Sequence, residues 1–216
     1  GMFSDPARGI FLGHRRLSIM DLSPSGRQPL WNEDRTVAVM VNGEFYNYPE
    51  KRAALLGLGH RFTSTGDSEM LAHLFEDRGE AAFAELRGMF AAAVYDTRHG
   101  VLHLARDPMG IKPLYLFESG RLIAFASEIR AFHALPDFER CADGDAIADF
   151  LLWGSIPAPR TLWRQIRALT PGERLRITGG RIEHRGGPPI AGWCAEAAAA
   201  PPSNPLTLRE CLRDSV

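Results

Sequence analysis

Cysteine is scarce in this chain: Cys141, Cys194 and Cys211 are the only three among 216 residues. They form no C-x-x-C pair, and no histidine stands beside them at zinc-ligand spacing. Neither a disulfide framework nor a structural metal is therefore expected. Long apolar runs are also missing. None approaches the roughly twenty residues needed to cross a bilayer, and no basic-apolar-small pattern opens the chain, so no membrane contact and a cytoplasmic location are expected. Excess charge of one sign is absent too. The 25 Lys plus Arg against 26 Asp plus Glu leave a formal charge of -1, which provides no field to hold a nucleic-acid backbone. GxGxxG, GxxxxGK and internal repeats do not occur, so no nucleotide cradle and no cofactor are expected within these residues. At 45% hydrophobic the chain has ample material for a buried core.

Short apolar runs separated by turn signals fill most of the sequence. Residues 37–41 (VAVMV) form an unbroken apolar run, the mark of a strand covered on both faces. Residues 88–96 read similarly and 101–105 follow a His99-Gly100 turn. Two more hairpins are expected around Ser119-Gly120 and Gly179-Gly180. Helical spacing marks residues 68–78, where Met70, Leu71, Leu74 and Phe75 share a face and Gly79 provides the stop. Shorter helices are expected over 48–56 and 146–153. Serial hairpins with a few helices predict an α+β layered domain of antiparallel sheet, spanning residues 1–194. Residues 195–205 (AEAAAAPPSNP) read as a linker. After it, Thr207 and Glu210 form a capping box that opens a helix over 206–216, too short to stand alone and expected to begin a further domain.

Four segments carry groups suited to chemistry. In LGHRRLSI, Arg15 and Arg16 would point to opposite faces of a strand; they are either solvated edge charges or, in one case, a fork for a carboxylate. His14 reads as a structural hydrogen-bonder. Asn42-Gly43-Glu44 is either a two-residue hairpin turn or a donor pair for an oxyanion, with glycine admitting close approach of a backbone N–H. Asp67 is either a helix cap or a receptor for an ammonium group. The stretch from Arg106 to Tyr115, with two prolines and a glycine, reads as a rigid structural turn.

The blocks LGHRRLSIMDLSPSGRQP, VNGEFYN, TSTGDSE, LRGMFAAAVYD, ARDPMGIKPLY and FASEIRA, in that order, resemble the N-terminal glutaminase domain of glutamine-hydrolysing asparagine synthetases, a class II (N-terminal-nucleophile) glutamine amidotransferase. The resemblance runs from about Gly9 to Ile177. It implies a four-layer αββα sandwich of two antiparallel sheets and L-glutamine as the ligand. It also implies roles: Arg16 for the substrate carboxylate, Asp67 for its ammonium, and Asn42 with Gly43 as the oxyanion hole. Leu17, Ile19, Met20 and Glu44 match residues that line the glutamine pocket. A covalently attached synthetase domain using ATP and Mg to amidate aspartate is implied beyond these residues, and a homodimer is among the assemblies it allows.

The family's nucleophile is a cysteine at the mature N-terminus, whose free amine can act as base for its own thiol. This sequence opens Gly1-Met2-Phe3 instead, and the opening nucleophile-bearing strand and RGPD segment of the family are not in it. The expectation is a domain shortened at its N-terminus and inactive by itself. The alternatives are a non-catalytic glutamine-binding or assembly domain, and a synthetase that shares this domain but uses another acceptor.

Overall fold

The computed structural model describes residues 1–17, 21–186, 210 and 213. The expected linker and the segment following it thus fall almost wholly outside the described residues. Among those described, the elements in chain order are β1 (Met2–Asp5), β2 (Ile10–Gly13), β3 (Leu30–Trp31), β4 (Val37–Phe45), α1 (Tyr48–Gly57), α2 (Met70–Arg78), β5 (Gly88–Asp96), β6 (Val101–Arg106), β7 (Tyr115–Glu118), β8 (Ile123–Ala126), α3 (Gly144–Trp153), β9 (Ile166–Ala168), β10 (Glu173–Thr178) and β11 (Arg181–Gly186).

Strand β4 shows how the layers arise. Its residues alternate between two cores, as a pleated strand requires. Val37, Val39, Val41 and Phe45 join a cluster with Leu55 of α1 and Met70, Leu71 and Leu74 of α2. Ala38 and Met40 join a second cluster with Leu12 of β2 and Leu116 of β7. Both faces are thus covered, which is why VAVMV carries no polar alternation. Each large side chain removed from water here contributes about 1.5–3 kcal/mol.

The main sheet has six antiparallel strands in the order β11-β10-β6-β5-β4-β3. Helices α1 and α2 cover one face. The other is covered by two separate pieces, the hairpin β1-β2 and a three-stranded sheet β8-β7-β9. Behind that smaller sheet, Phe117 and Ile166 pack with Phe132 from a 3-10 turn at Ile129–Ala134. The layers are therefore helix, sheet, sheet and a thin helical turn, matching the α+β sandwich expected from the hairpins. Gly1 extends the hairpin: its ammonium donates to His14 O at 2.7 Å, and His14 N donates to Gly1 O at 2.9 Å.

Candidate functional site

Where the hairpin β1-β2 and the three-stranded sheet part company over the main sheet, a cleft of about 750 Å³ opens. Met40, Asn42, Ala91 and Ala93 from β4 and β5 line it, together with Gly13 to Leu17, Asp21, Gly26 and Gln28. Ser64, Gly66, Asp67 and Ser68 form another wall, and Lys112, Leu114, the segment from Phe125 to Glu128, Arg130 and Ala131 also line the cleft. Arg16, Leu17, Asn42, Gly43, Glu44 and Asp67 thus line a single cleft. Ile19 and Met20 lie outside the described residues.

The strand expected through LGHRRLSI is shorter than the apolar frame suggests. β2 ends at Gly13, so Arg15 and Arg16 are not held to opposite faces, and both line the cleft. Arg16 is half-buried; its Nη2 donates to Ser23 O at 3.3 Å. His14 Nε2 meets Val41 O at 3.1 Å while its buried Nδ1 has no partner among the described residues. Burial lowers the His14 pKa, with the backbone contact to Val41 opposing, so the ring is neutral near pH 7.

Asn42-Gly43 is not a hairpin turn. The pair sits inside β4, opposite Ala91 and Phe90 of β5. Asn42 and Glu44 share the strand parity of Ala38 and Met40, which places them on the cleft side of the sheet. Gly43 has φ 151°, and a Cβ there would overlap Met89 O and lie 2.6 Å from Phe90 Cα. Close strand approach, not a turn, is what requires glycine here.

Asp67 is also not a helix cap. Its Oδ2 accepts from Phe45 N at 2.7 Å and its Oδ1 from Ser68 Oγ at 3.2 Å, tying it to the end of β4. Helix α2 starts at Met70 without a side-chain cap. Asp67 is only 6% exposed, and burial raises its carboxyl pKa against the hydrogen bonds from Phe45 and Ser68. A buried carboxylate in this condition is an acceptor for a cation arriving in the cleft.

Asp21, to which the sequence pointed only as part of a block, joins the walls. It accepts from Ser23 N (2.9 Å), Ser23 Oγ (2.6 Å), Ser25 Oγ (3.3 Å) and Thr65 N (3.0 Å). The Ser23 hydroxyl, the Thr65 amide and the other donors hold its carboxyl well below the usual carboxylate range. Asp21 thereby links the turn under Arg16 to the loop bearing Asp67. The Asp-x-Ser-Pro-Ser spacing was its one visible signal. Gln28 was missed as well: its side chain pairs with Val41 N (2.6 Å) and Val41 O (3.1 Å), extending the sheet edge beside Asn42. The Arg106-to-Tyr115 segment is a hydrogen-bonded turn, with buried Asp107 accepting from Met109, Ile111 and Lys112 N, and its Lys112 and Leu114 also line the cleft.

Residues 1–186 match the family model described as a glutamine amidotransferase domain. The chain is 38% identical over 178 residues to glutamine-hydrolysing asparagine synthetase 1 of Bacillus subtilis, covering 82% of this chain and 27% of that protein. It is 36% identical over 207 residues to the glutamine-hydrolysing asparagine synthetase 2 of Oryza sativa subsp. japonica, covering 95% and 29%. It therefore spans under a third of the length of these relatives. Among solved structures, the glutamine phosphoribosylpyrophosphate amidotransferase of B. subtilis superposes with a TM-score of 0.58 at 22% identity, covering 80% of this chain and 34% of that one, a likeness of fold.

Proposed function

Since this chain belongs to the glutamine amidotransferase domain family, we propose that its cleft binds L-glutamine, with the α-carboxylate on Arg16, the α-ammonium on Asp67 and the side-chain amide turned toward Asn42 and Gly43. The observation that carries this reading is that a cation, a buried anion and an Asn-Gly donor pair line one cleft although they come from three separate segments. A free amino acid is a zwitterion, so one cation and one anion fix its head and direct its side chain. The guanidinium suits a carboxylate as a two-pronged donor, and the ammonium supplies the counter-charge that buried Asp67 lacks.

In hydrolysis, a thiolate attacks the side-chain amide carbon and the carbonyl oxygen becomes an oxyanion held by Asn42 and Gly43. The proton lost by the thiol passes to the departing nitrogen as the C–N bond breaks and ammonia leaves, and water then adds to the thioester, releasing glutamate and returning a proton to the sulfur. No cysteine is among the described residues lining the cleft, and Cys141 is exposed away from it. The described residues therefore supply the binding part of the site, and glutamine binding is what they are expected to show. That also keeps the reading of a glutamine-binding module alongside that of a glutaminase domain.

In the whole protein, ammonia would pass to a synthetase domain that uses ATP and Mg to amidate aspartate in the cytoplasm. Two observations support such a domain: the far greater length of the relatives, and α3. That helix leaves Phe150, Leu151, Leu152 and Trp153 between 54% and 79% exposed, a surface that a covering domain or a second copy would bury. No described helix is long and apolar enough to cross a membrane. The test is calorimetry of glutamine binding to the chain and to Arg16→Ala and Asp67→Asn. Each variant should weaken binding by tenfold or more; affinity unchanged in both would overturn the assignment.

A further inference from the structure

On the opposite face of the main sheet from the cleft, we propose that Glu33, His60, His73 and Glu76 form a site for a divalent transition metal, zinc(II) being the best chemical match. One ligand atom from each of the four lies within 4.8 Å of all the others. His73 Nδ1 is 3.1 Å from Glu33 Oε2, and His60 Nδ1 is 3.4 Å from Glu33 Oε1 and 4.0 Å from Glu76 Oε2. Around an ion with bonds of about 2.0–2.1 Å, tetrahedral ligand atoms sit about 3.3 Å apart. The two short contacts use different oxygens of Glu33, so with one oxygen per carboxylate a single edge to Glu33 has that length, and the remaining ligand atoms, all within 4.8 Å of one another, have to draw in. Two imidazoles with two carboxylates suit zinc and its neighbours, whereas Mg and Ca prefer oxygen alone.

The surroundings give a second, independent sign. Each imidazole turns its other nitrogen to a carboxylate outside the set: His60 Nε2 lies 3.3 Å from Asp77 Oδ1, and His73 Nε2 lies 3.6 Å from Glu69 Oε1. With an ion on Nδ1 the proton of each ring would sit on Nε2, facing Asp77 or Glu69, the outer arrangement that metal-binding histidines commonly use. His73 is fully buried, and its Nε2 has no hydrogen-bond partner of its own among the described residues. Glu76 Oε2 is oriented by Asn32 Nδ2 at 2.9 Å, and Glu33 Oε1 by Arg61 N at 2.5 Å. Glu33 and Glu76 are partly exposed, which leaves the ion a path from solvent.

The ligands come from the β3-β4 connection, the segment before Phe62, and α2, where His73 and Glu76 lie three residues apart on one face. An ion there would tie α2 to the connection and fix Glu69. That carboxylate holds Thr63 N (2.7 Å) and Ser64 N (2.6 Å), at the start of the loop that carries Asp67. The role is structural, outside the chemistry proposed for the cleft.

The test is titration of chelator-treated protein with zinc and cobalt(II), with Mg as a control, by calorimetry, visible absorption and melting. One zinc per chain, a four-coordinate cobalt spectrum and a Tm raised by about 5 °C at a hundredfold excess over Kd are expected. Binding should weaken about tenfold or more in both His60→Gln and Glu76→Gln. Should His60→Gln fail to fold, Glu33→Gln replaces it, since its side chain is a third exposed. Absence of saturable zinc binding, equal affinity for Mg, or zinc that persists unchanged in the variants, as it would if held at exposed Cys141, overturns the proposal.

Discussion

A Cβ at residue 26 would overlap Arg16 Nη1 and lie 2.9 Å from Arg16 Cζ, so glycine at 26 and the guanidinium at 16 share one space. The obstacle is the far end of a flexible side chain, not backbone, and it can swing away. Gly26→Ala is therefore expected to change stability by under about 1 kcal/mol while displacing the carboxylate fork. Glutamine affinity should fall by tenfold or more. Parallel melts and calorimetry check this: affinity at the parent value with the fold intact would separate Arg16 from ligand recognition.

Gly43 offers the opposite case. A Cβ there meets Met89 O and Phe90 Cα, both backbone of the neighbouring strand, and φ 151° is unfavourable for any L side chain. Neither obstacle can move without opening the β4-β5 ladder. Gly43→Ala should therefore destabilise the chain by about 3 kcal/mol or more, a loss visible in denaturant melts. A midpoint equal to that of the parent would show that the two strands separate more easily than their register implies.

These two glycines also mark the limit of what local sequence can tell. The apolar runs became β4, β5 and β6, and the helix expected to stop at Gly79 is α2, because burial on two faces and a glycine stop are recorded in a few adjacent residues. Asn42-Gly43 misleads because its hairpin signal is local, while the reason for the glycine is Met89, which lies far along the chain and close in space. Asp67 misleads likewise: an acid before a helix reads as a cap, yet its partner is Phe45 N. The resemblance pointed to Arg16, Asn42, Gly43 and Asp67 for the cleft; Asp21 escaped because its contact with Thr65 spans the chain. A scan of cysteine spacing is blind to Glu33, His60, His73 and Glu76, which only folding brings together.

Asp67 gives a prediction in pH. Burial raises its pKa above the ordinary aspartate value, so it protonates earlier than an exposed aspartate as pH falls. Glutamine affinity should decline through that raised pKa, because the neutral acid no longer offers a charge to the ammonium. The same burial disfavours the ionised folded state at neutral pH, so stability from this group increases as pH falls. Asp67→Asn should therefore keep or raise the ligand-free Tm while losing glutamine. A variant that binds as the parent does, with the same pH profile, would remove Asp67 from the site.

Glu69 has the opposite sign. Burial pushes its carboxyl up, but the neighbouring His73 imidazole, 3.6 Å away, and hydrogen bonds from Ser64 and Thr63 outweigh it and hold the folded pKa at about 2, against 4.5 for the free group. A lowered carboxyl pKa contributes stability that is fully present above the unfolded value and lost as pH falls from about 4.5 toward about 2. The contribution at neutral pH is of order 3 kcal/mol. Glu69→Gln should lower the Tm at pH 7 and flatten the acid limb of the stability curve in that window, since the amide has no proton to gain. Urea melts between pH 2 and pH 7 read both effects. A variant whose acid limb keeps the parent's slope would place the acid sensitivity elsewhere, for instance in Asp21, whose carboxyl is also lowered by hydrogen bonds.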